Sequence, residues 1–184
     1  MDNALTEQQI SLMQAVAKGD RRAFEQLYRL TSPHLFAVAL RMLRQRHWAE
    51  EVLHDCFLTV WSKADTYNAT LSSPMTWLTH IVRNRCIDWL RSGPVRNARH
   101  EEEYVDELLV QEHDEQNNWH DHDQAERLRH CLAHLSSDQR QSIALAYYQG
   151  MSHSDIADWL KQPVGSVKSW IRRAMEHLRE CIGL

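Results

Sequence analysis

Glycine and proline are scarce in this 184-residue chain, at five and four. Too few turn-formers are present for a protein of many short strands, and apolar residues recur mainly at helical spacing, so the expected fold class is all-α. No apolar run approaches the roughly 20 residues of a membrane span, and the N-terminus lacks a charged segment followed by an apolar one. The expectation is a cytoplasmic protein with no membrane insertion. Catalytic signatures are missing as well: there is no HExxH, no paired CxxC, no glycine-rich phosphate loop and no serine elbow. The chain therefore reads as a non-enzyme without cofactor. Six of the twelve histidines lie between His100 and His134. His120, His122 and Cys131 with Asp121 and Asp123 could ligate a metal, but histidines in an acidic tether are more often solvated, and no metal site is expected. Cys56, Cys86, Cys131 and Cys181 are far apart and sit at or beside apolar helix positions, which reads as four reduced core thiols.

What is present is a division of charge. The net charge of −4 separates into +4 over residues 1–100, −11 over 101–126 and +3 over 127–184. Like charges at that density repel, and the few apolar residues among them cannot offset the entropy of ordering, so 96–126 reads as a flexible acidic linker between helical domains at 1–95 and 127–184. Tyr104, Val105, Leu108, Leu109 and Val110 are the exception, able to form a short docking helix, more readily a transient one.

The C-terminal stretch is the most organised. Ser152 with Asp155 forms a capping-box start, Ile156, Ala157 and Leu160 supply an apolar stripe, and Pro163 ends the helix. A second helix from about Gly165 buries Val167, Ile171, Ala174, Met175, Leu178 and Ile182 and turns outward Ser166, Lys168, Ser169, Arg172 and Arg173. That is the layout of a helix-turn-helix DNA reader.

In the N-terminal domain, Thr6 and Gln9 form a capping box ahead of an Ile10, Met13, Ala17 stripe. Asp20 caps a helix burying Phe24, Leu27 and Tyr28; Pro33 interrupts it, and Leu35, Phe36, Ala39, Leu40 and Leu43 resume. A helix over about Ala49–Ala64 has Glu50 and Glu51 in its first turn and Val52, Phe57, Val60 and Trp61 in the core. From Ser73 to Arg91, Leu78, Val82, Cys86 and Trp89 are spaced to be buried, while His80, Asn84, Ile87 and Arg91, with Arg83 beside them and Trp77 near, form a face suited to single-stranded nucleic acid.

Several runs resemble the extracytoplasmic-function (ECF) group of bacterial RNA polymerase sigma factors. They are Gly19 to Tyr28, Ala49 to Trp61, Trp77 to Arg91, Leu135-Ser136 with Gln139-Arg140, Gly150 to Ser152, Asp155 to Ala157 and Pro163 to Ser169, in the family's order over about three quarters of the chain. The resemblance implies a two-domain initiation factor whose partners are core RNA polymerase and promoter DNA. It places polymerase contacts among Glu50, Glu51, Leu53, His54 and Asp55, minus-10 contacts among Arg83, Asn84, Asp88 and Arg91, and minus-35 contacts among Ser166, Lys168, Ser169, Arg172 and Arg173.

The chain departs from the family pattern at three places. Trp48 stands where a small or acidic cap is common, Lys161-Gln162 where the turn commonly has glycine, and Trp170 where a basic residue is common, its ring expected to pack rather than touch DNA. The Trp170-Ile171-Arg172-Arg173 and Ser73-Pro74-Met75-Thr76-Trp77 runs look like the subgroup of sigma factor K, whose members are commonly held inactive by a membrane-bound anti-sigma factor. The rival reading is a stand-alone helix-turn-helix regulator, which predicts duplex binding without polymerase and a dimerising element; no obvious one is visible.

Overall fold

The computed structural model describes residues 2–92 and 119–183, with side chains from Ala4 to Ser92 and from Glu126 to Gly183. Among them are eight α-helices, one short 3-10 turn and no strand. The chain divides into two compact units, Met1–Ala98 and Arg99–Leu184. The acidic stretch from Glu101 to Asn118, with the Tyr104–Val110 segment, lies outside the described residues.

The first unit comprises α1 (Asp2–Ala17), α2 (Arg21–Leu43), α3 (Arg46–Lys63), the 3-10 turn Ala64–Thr66 and α4 (Pro74–Arg91). The first helix begins at Asp2, ahead of the expected Thr6 cap, and buries Gln9, Leu12, Met13 and Val16; Ala17 is exposed. Gly19, at φ 84°, turns the chain into Asp20, whose Oδ1 accepts from the backbone N–H of Arg22 at 2.8 Å and of Ala23 at 3.2 Å.

Pro33 does not interrupt α2, which runs unbroken to Leu43. A proline inside a helix costs about 3 kcal/mol because it removes a hydrogen bond and crowds the preceding turn. Against this stands one continuous buried row, Leu27, Thr31, Leu35, Ala39 and Met42, in which each fully buried leucine contributes about 1.5–3 kcal/mol. Burial outweighs the local defect.

The third helix starts at Arg46, three residues before the expected Ala49, so Glu50 and Glu51 fall beyond its first turn. Its N-cap residue, Gln45, makes no side-chain cap; Arg46 instead pairs with Glu50 at 2.8 Å. Trp61 and Tyr28 remain at the rim, 38% and 42% exposed, with edge-on ring contacts to Phe24 and Phe57 respectively. On α4, capped by the Ser73 hydroxyl, the buried row is Leu78, Val82, Cys86 and Leu90. Leu90 continues the i, i+4 row from Cys86, which leaves Trp89 half-buried with its ring 6.3 Å from Trp48.

The second unit comprises α5 (Trp119–Ala133), α6 (Ser137–Tyr148), α7 (His153–Leu160) and α8 (Val164–Ile182). The fifth helix begins at Trp119, within the stretch assigned to the linker, because extending a helix from packed turns is far easier than nucleating one. Two apolar clusters hold the unit: Leu145, Ile156, Ala157 and Val167 around the α7–α8 turn, and Cys131, Leu135, Ala174 and Leu178 where α5 meets α8.

The second cluster corrects the reading of the cysteines. Cys131 and Cys181 are joined in a disulfide, their Cα atoms 5.9 Å apart across fifty residues of sequence. Cys56 and Cys86 are free and buried. Sequence distance carried no sign that α8 would lie against α5. Among the described residues no helix is long and apolar enough to cross a membrane.

Candidate nucleic-acid interface

The helix-turn-helix is built by reciprocal capping and a strained turn. Ser152 N–H donates to Asp155 Oδ2 at 2.9 Å while Asp155 N–H donates to Ser152 Oγ at 3.2 Å. This satisfies backbone donors that a helix start leaves open. At the far end Lys161 takes a left-handed conformation, φ 51°, and Gln162 N–H donates to the Ala157 carbonyl at 2.9 Å. The turn is thus made without glycine, at the steric cost a Cβ incurs in that region.

Packing then sets the orientation of α8. Val167, Ala174 and Leu178 are buried and Ile171 and Ile182 half-buried. Met175, expected in the stripe, is 47% exposed; it sits one residue, about 100° of helical turn, past Ala174. Trp170 packs on the Leu145–Ile156–Val167 cluster of its own unit. Lys168, Arg172 and Arg173 are exposed, and Ser166 and Ser169 half-buried. Arg172 donates to Glu176 at 2.8 Å, which partly neutralises it.

A second polar surface lies along α4. His80, Asn84, Asp88 and Arg91 are exposed and Arg83 and Ile87 half-buried. The Asn84 amide lies 3.1 Å from His80 Nδ1. Beside this face runs a loop that the sequence reading did not single out. The Tyr67 hydroxyl donates to the Ser72 carbonyl at 2.9 Å, and the Tyr67 ring lies 5.7 Å from Trp77. Asn68 Oδ1 accepts from Thr70 N–H at 2.9 Å and its hydroxyl at 2.7 Å, and Leu71 stands 82% exposed. The detectable signal was Asn68-x-Thr70, an Asx-turn pattern.

The residues expected to meet polymerase lie on α3. Glu51 and His54 are exposed, Glu50 is exposed and paired with Arg46, and Asp55 is half-buried. Leu53, only 6% exposed, belongs to the core. Asp55 is bound by Arg85 of α4 at 2.7 Å, a cross-helix pair that sequence spacing did not suggest. The Asp55 hydrogen bond holds the Arg85 proton more firmly than usual. Nearby in sequence, burial pushes the Cys56 and Cys86 thiols up to about 12.

Residues 27–93 match the Sigma-70 region 2 family model, and residues 125–178 match that of Sigma-70, region 4. The chain is 31% identical over 175 residues to the ECF RNA polymerase sigma factor SigK of Mycobacterium ulcerans (strain Agy99), covering 94% of this chain and 92% of that protein. It is 29% identical over 182 residues to SigK of Mycobacterium tuberculosis (strain ATCC 25177 / H37Ra), with coverages of 94% and 92%. Among solved structures, Rhodobacter sphaeroides SigE in complex with the anti-sigma ChrR is similar with a TM-score of 0.48 and 29% identity, covering 95% of this chain and 98% of that one.

Proposed function

Because this chain belongs to the extracytoplasmic-function RNA polymerase sigma factors of the sigma-70 family, we propose that it binds core RNA polymerase in the cytoplasm and directs initiation at promoters chosen by their minus-35 and minus-10 elements. In this reading region 2 spans residues 1–95, the acidic linker 96–126 and region 4 residues 127–184, with the α5 helix reaching back to Trp119. It is a binding factor, not an enzyme. An anti-sigma factor, membrane-bound as is common in the sigma factor K subgroup, holds it inactive.

The observation that carries the reading is that α8 is sealed into its unit along Val167, Ala174 and Leu178 and holds Lys168, Arg172 and Arg173 in solvent. Cations displaced from a core onto one face of a recognition helix suit phosphates and base edges in a major groove. On α4, Arg83, Asn84, Asp88 and Arg91 take the minus-10 strand, with Trp77 and the Tyr67–Ser72 loop beside them. Glu50, Glu51, His54 and Asp55 meet the polymerase clamp; Leu53 supports them from below. Each DNA surface is small and salt-sensitive by itself. Polymerase holds both at once, which makes the second contact effectively intramolecular.

In vitro transcription from a promoter library, with core polymerase and the protein added or withheld, tests this. Protein-dependent transcripts sharing two upstream elements are expected, lost with Asn84→Ala and reduced with Lys168→Ala or Arg173→Ala. Tight, sequence-specific duplex binding by the protein alone, with no dependent transcript, would make it a stand-alone regulator.

A further inference from the structure

The disulfide between Cys131 and Cys181 has two histidines beside it. Three residues on from Cys131 stands His134, and four residues back from Cys181 stands His177; their rings are 6.5 Å apart. His177 and Cys181 lie one turn apart on one side of α8, and His134 stands in the turn just past the end of α5, its backbone N–H donating to the Cys131 carbonyl at 3.3 Å, so the histidines and the cysteines lie side by side where α5 meets α8.

Both imidazoles are placed as metal ligands commonly are. His134 Nδ1 lies 2.8 Å from the His130 carbonyl. With the proton on that nitrogen, Nε2 keeps a lone pair, and backbone anchoring of this kind orients histidine ligands. His177 Nε2 is buried and has no hydrogen-bond partner. With the sulfurs bonded to each other, no group of three or more His, Cys, Asp or Glu side chains among the described residues is arranged to hold a metal. Reduction enlarges the donor set by two sulfurs that already share one point.

We propose that the dithiol form of this protein binds one Zn²⁺ through Cys131, His134, His177 and Cys181. Reduction by a phosphine breaks the S–S bond, delivers two electrons and leaves two thiols, while the phosphine takes oxygen from water and becomes its oxide. Zinc then displaces the two thiol protons to form Zn–S bonds of about 2.3 Å and Zn–N bonds of about 2.0–2.1 Å. Two thiolates and two imidazoles in tetrahedral array favour zinc. The metal replaces the disulfide as the tie between α5 and α8.

The full chain, reduced with a phosphine and freed of it under inert gas, is titrated with Co²⁺ and then Zn²⁺. One equivalent of Co²⁺ is expected, with tetrahedral visible bands and a thiolate charge-transfer band, both abolished by Zn²⁺; the oxidised chain shows neither. Cys181→Ser is expected to lower the charge-transfer band by about half, one of two thiolates being lost. His134→Gln and His177→Gln are expected to weaken Zn²⁺ binding by about 10–100-fold or more, at least the effect of disturbing a ligand's support. His153→Gln, on the exposed first turn of α7, leaves it unchanged. The proposal is overturned if the reduced chain, with its helical circular dichroism intact, binds no Co²⁺. It is overturned equally if binding lacks the charge-transfer band, if it survives His177→Gln undiminished, or if His153→Gln abolishes it. These readouts do not depend on transcription.

Discussion

Leu53 and His54 are neighbours in sequence, one buried in the core and the other exposed. Leu53→Ala empties space in a packed core and is expected to cost the first unit about 2–5 kcal/mol in denaturant unfolding. His54→Ala, on the exposed side, is expected to change stability by no more than about 0.5 kcal/mol and to weaken binding to core polymerase. Equal stability losses in the two variants would refute the division. The thiols of Cys56 and Cys86 make a second test. Their ordinary value is 9.0 and burial raises it to about 12 in the folded protein. The unfolded chain therefore loses these protons first as pH rises, so their contribution is complete below pH 9.0 and lost progressively toward about 12. A Cys56→Ala/Cys86→Ala variant should show a shallower decline in stability over that range, and the native thiols should resist alkylation until the unit unfolds. Burial of Val52, Phe57 and Val60 was legible from spacing. Whether a rim aromatic such as Trp61 is covered was not, because that depends on how closely the neighbouring helix approaches.

At the scale of elements, the capping residues Asp20 and Ser152 located two helix starts from the sequence, while the Thr6–Gln9 pattern did not mark the start of α1. Asp20, Ser73 and Ser152 each cap with a side-chain oxygen. The third helix has no such cap, and its start could not be located from residue types. Two elements run against local preference. Pro33 is exposed within α2, where an alanine could restore the missing N–H without altering the buried row. Pro33→Ala is expected to stabilise the first unit by about 1–3 kcal/mol, read as a higher denaturant midpoint at unchanged slope. Lys161→Gly, by relieving a left-handed residue, is expected to stabilise the second unit by about 1 kcal/mol and to leave the direction of α8 unchanged. A loss of stability in Lys161→Gly would show that the lysine side chain contributes more than its backbone strain costs.

At the scale of the whole molecule, each unit has its own core and its own cysteine chemistry. The disulfide closes a loop of fifty residues, for which chain entropy alone suggests about 4 kcal/mol and measured bridges typically give 2–4 kcal/mol. Reduction in the presence of a chelator is expected to lower the stability of the second unit by about that amount and to leave the first unit, whose cysteines are free, unaffected. Hydrogen exchange along the full chain would separate the two. Uniform loss of protection across both units would contradict this independence.

Periodicity, capping residues and charge distribution determined the all-helical class, the helix-turn-helix, the face of α4 and the cationic side of α8, because these follow from interactions within about four residues along the chain. Tertiary structure decided the rest: the unbroken path of α2 through Pro33, the burial of Leu53, the Asp55–Arg85 pair and the meeting of Cys131 with Cys181. Each depends on residues brought together by packing of apolar faces. That attraction is proportional to area and carries no direction, so the partners it selects cannot be read from local spacing.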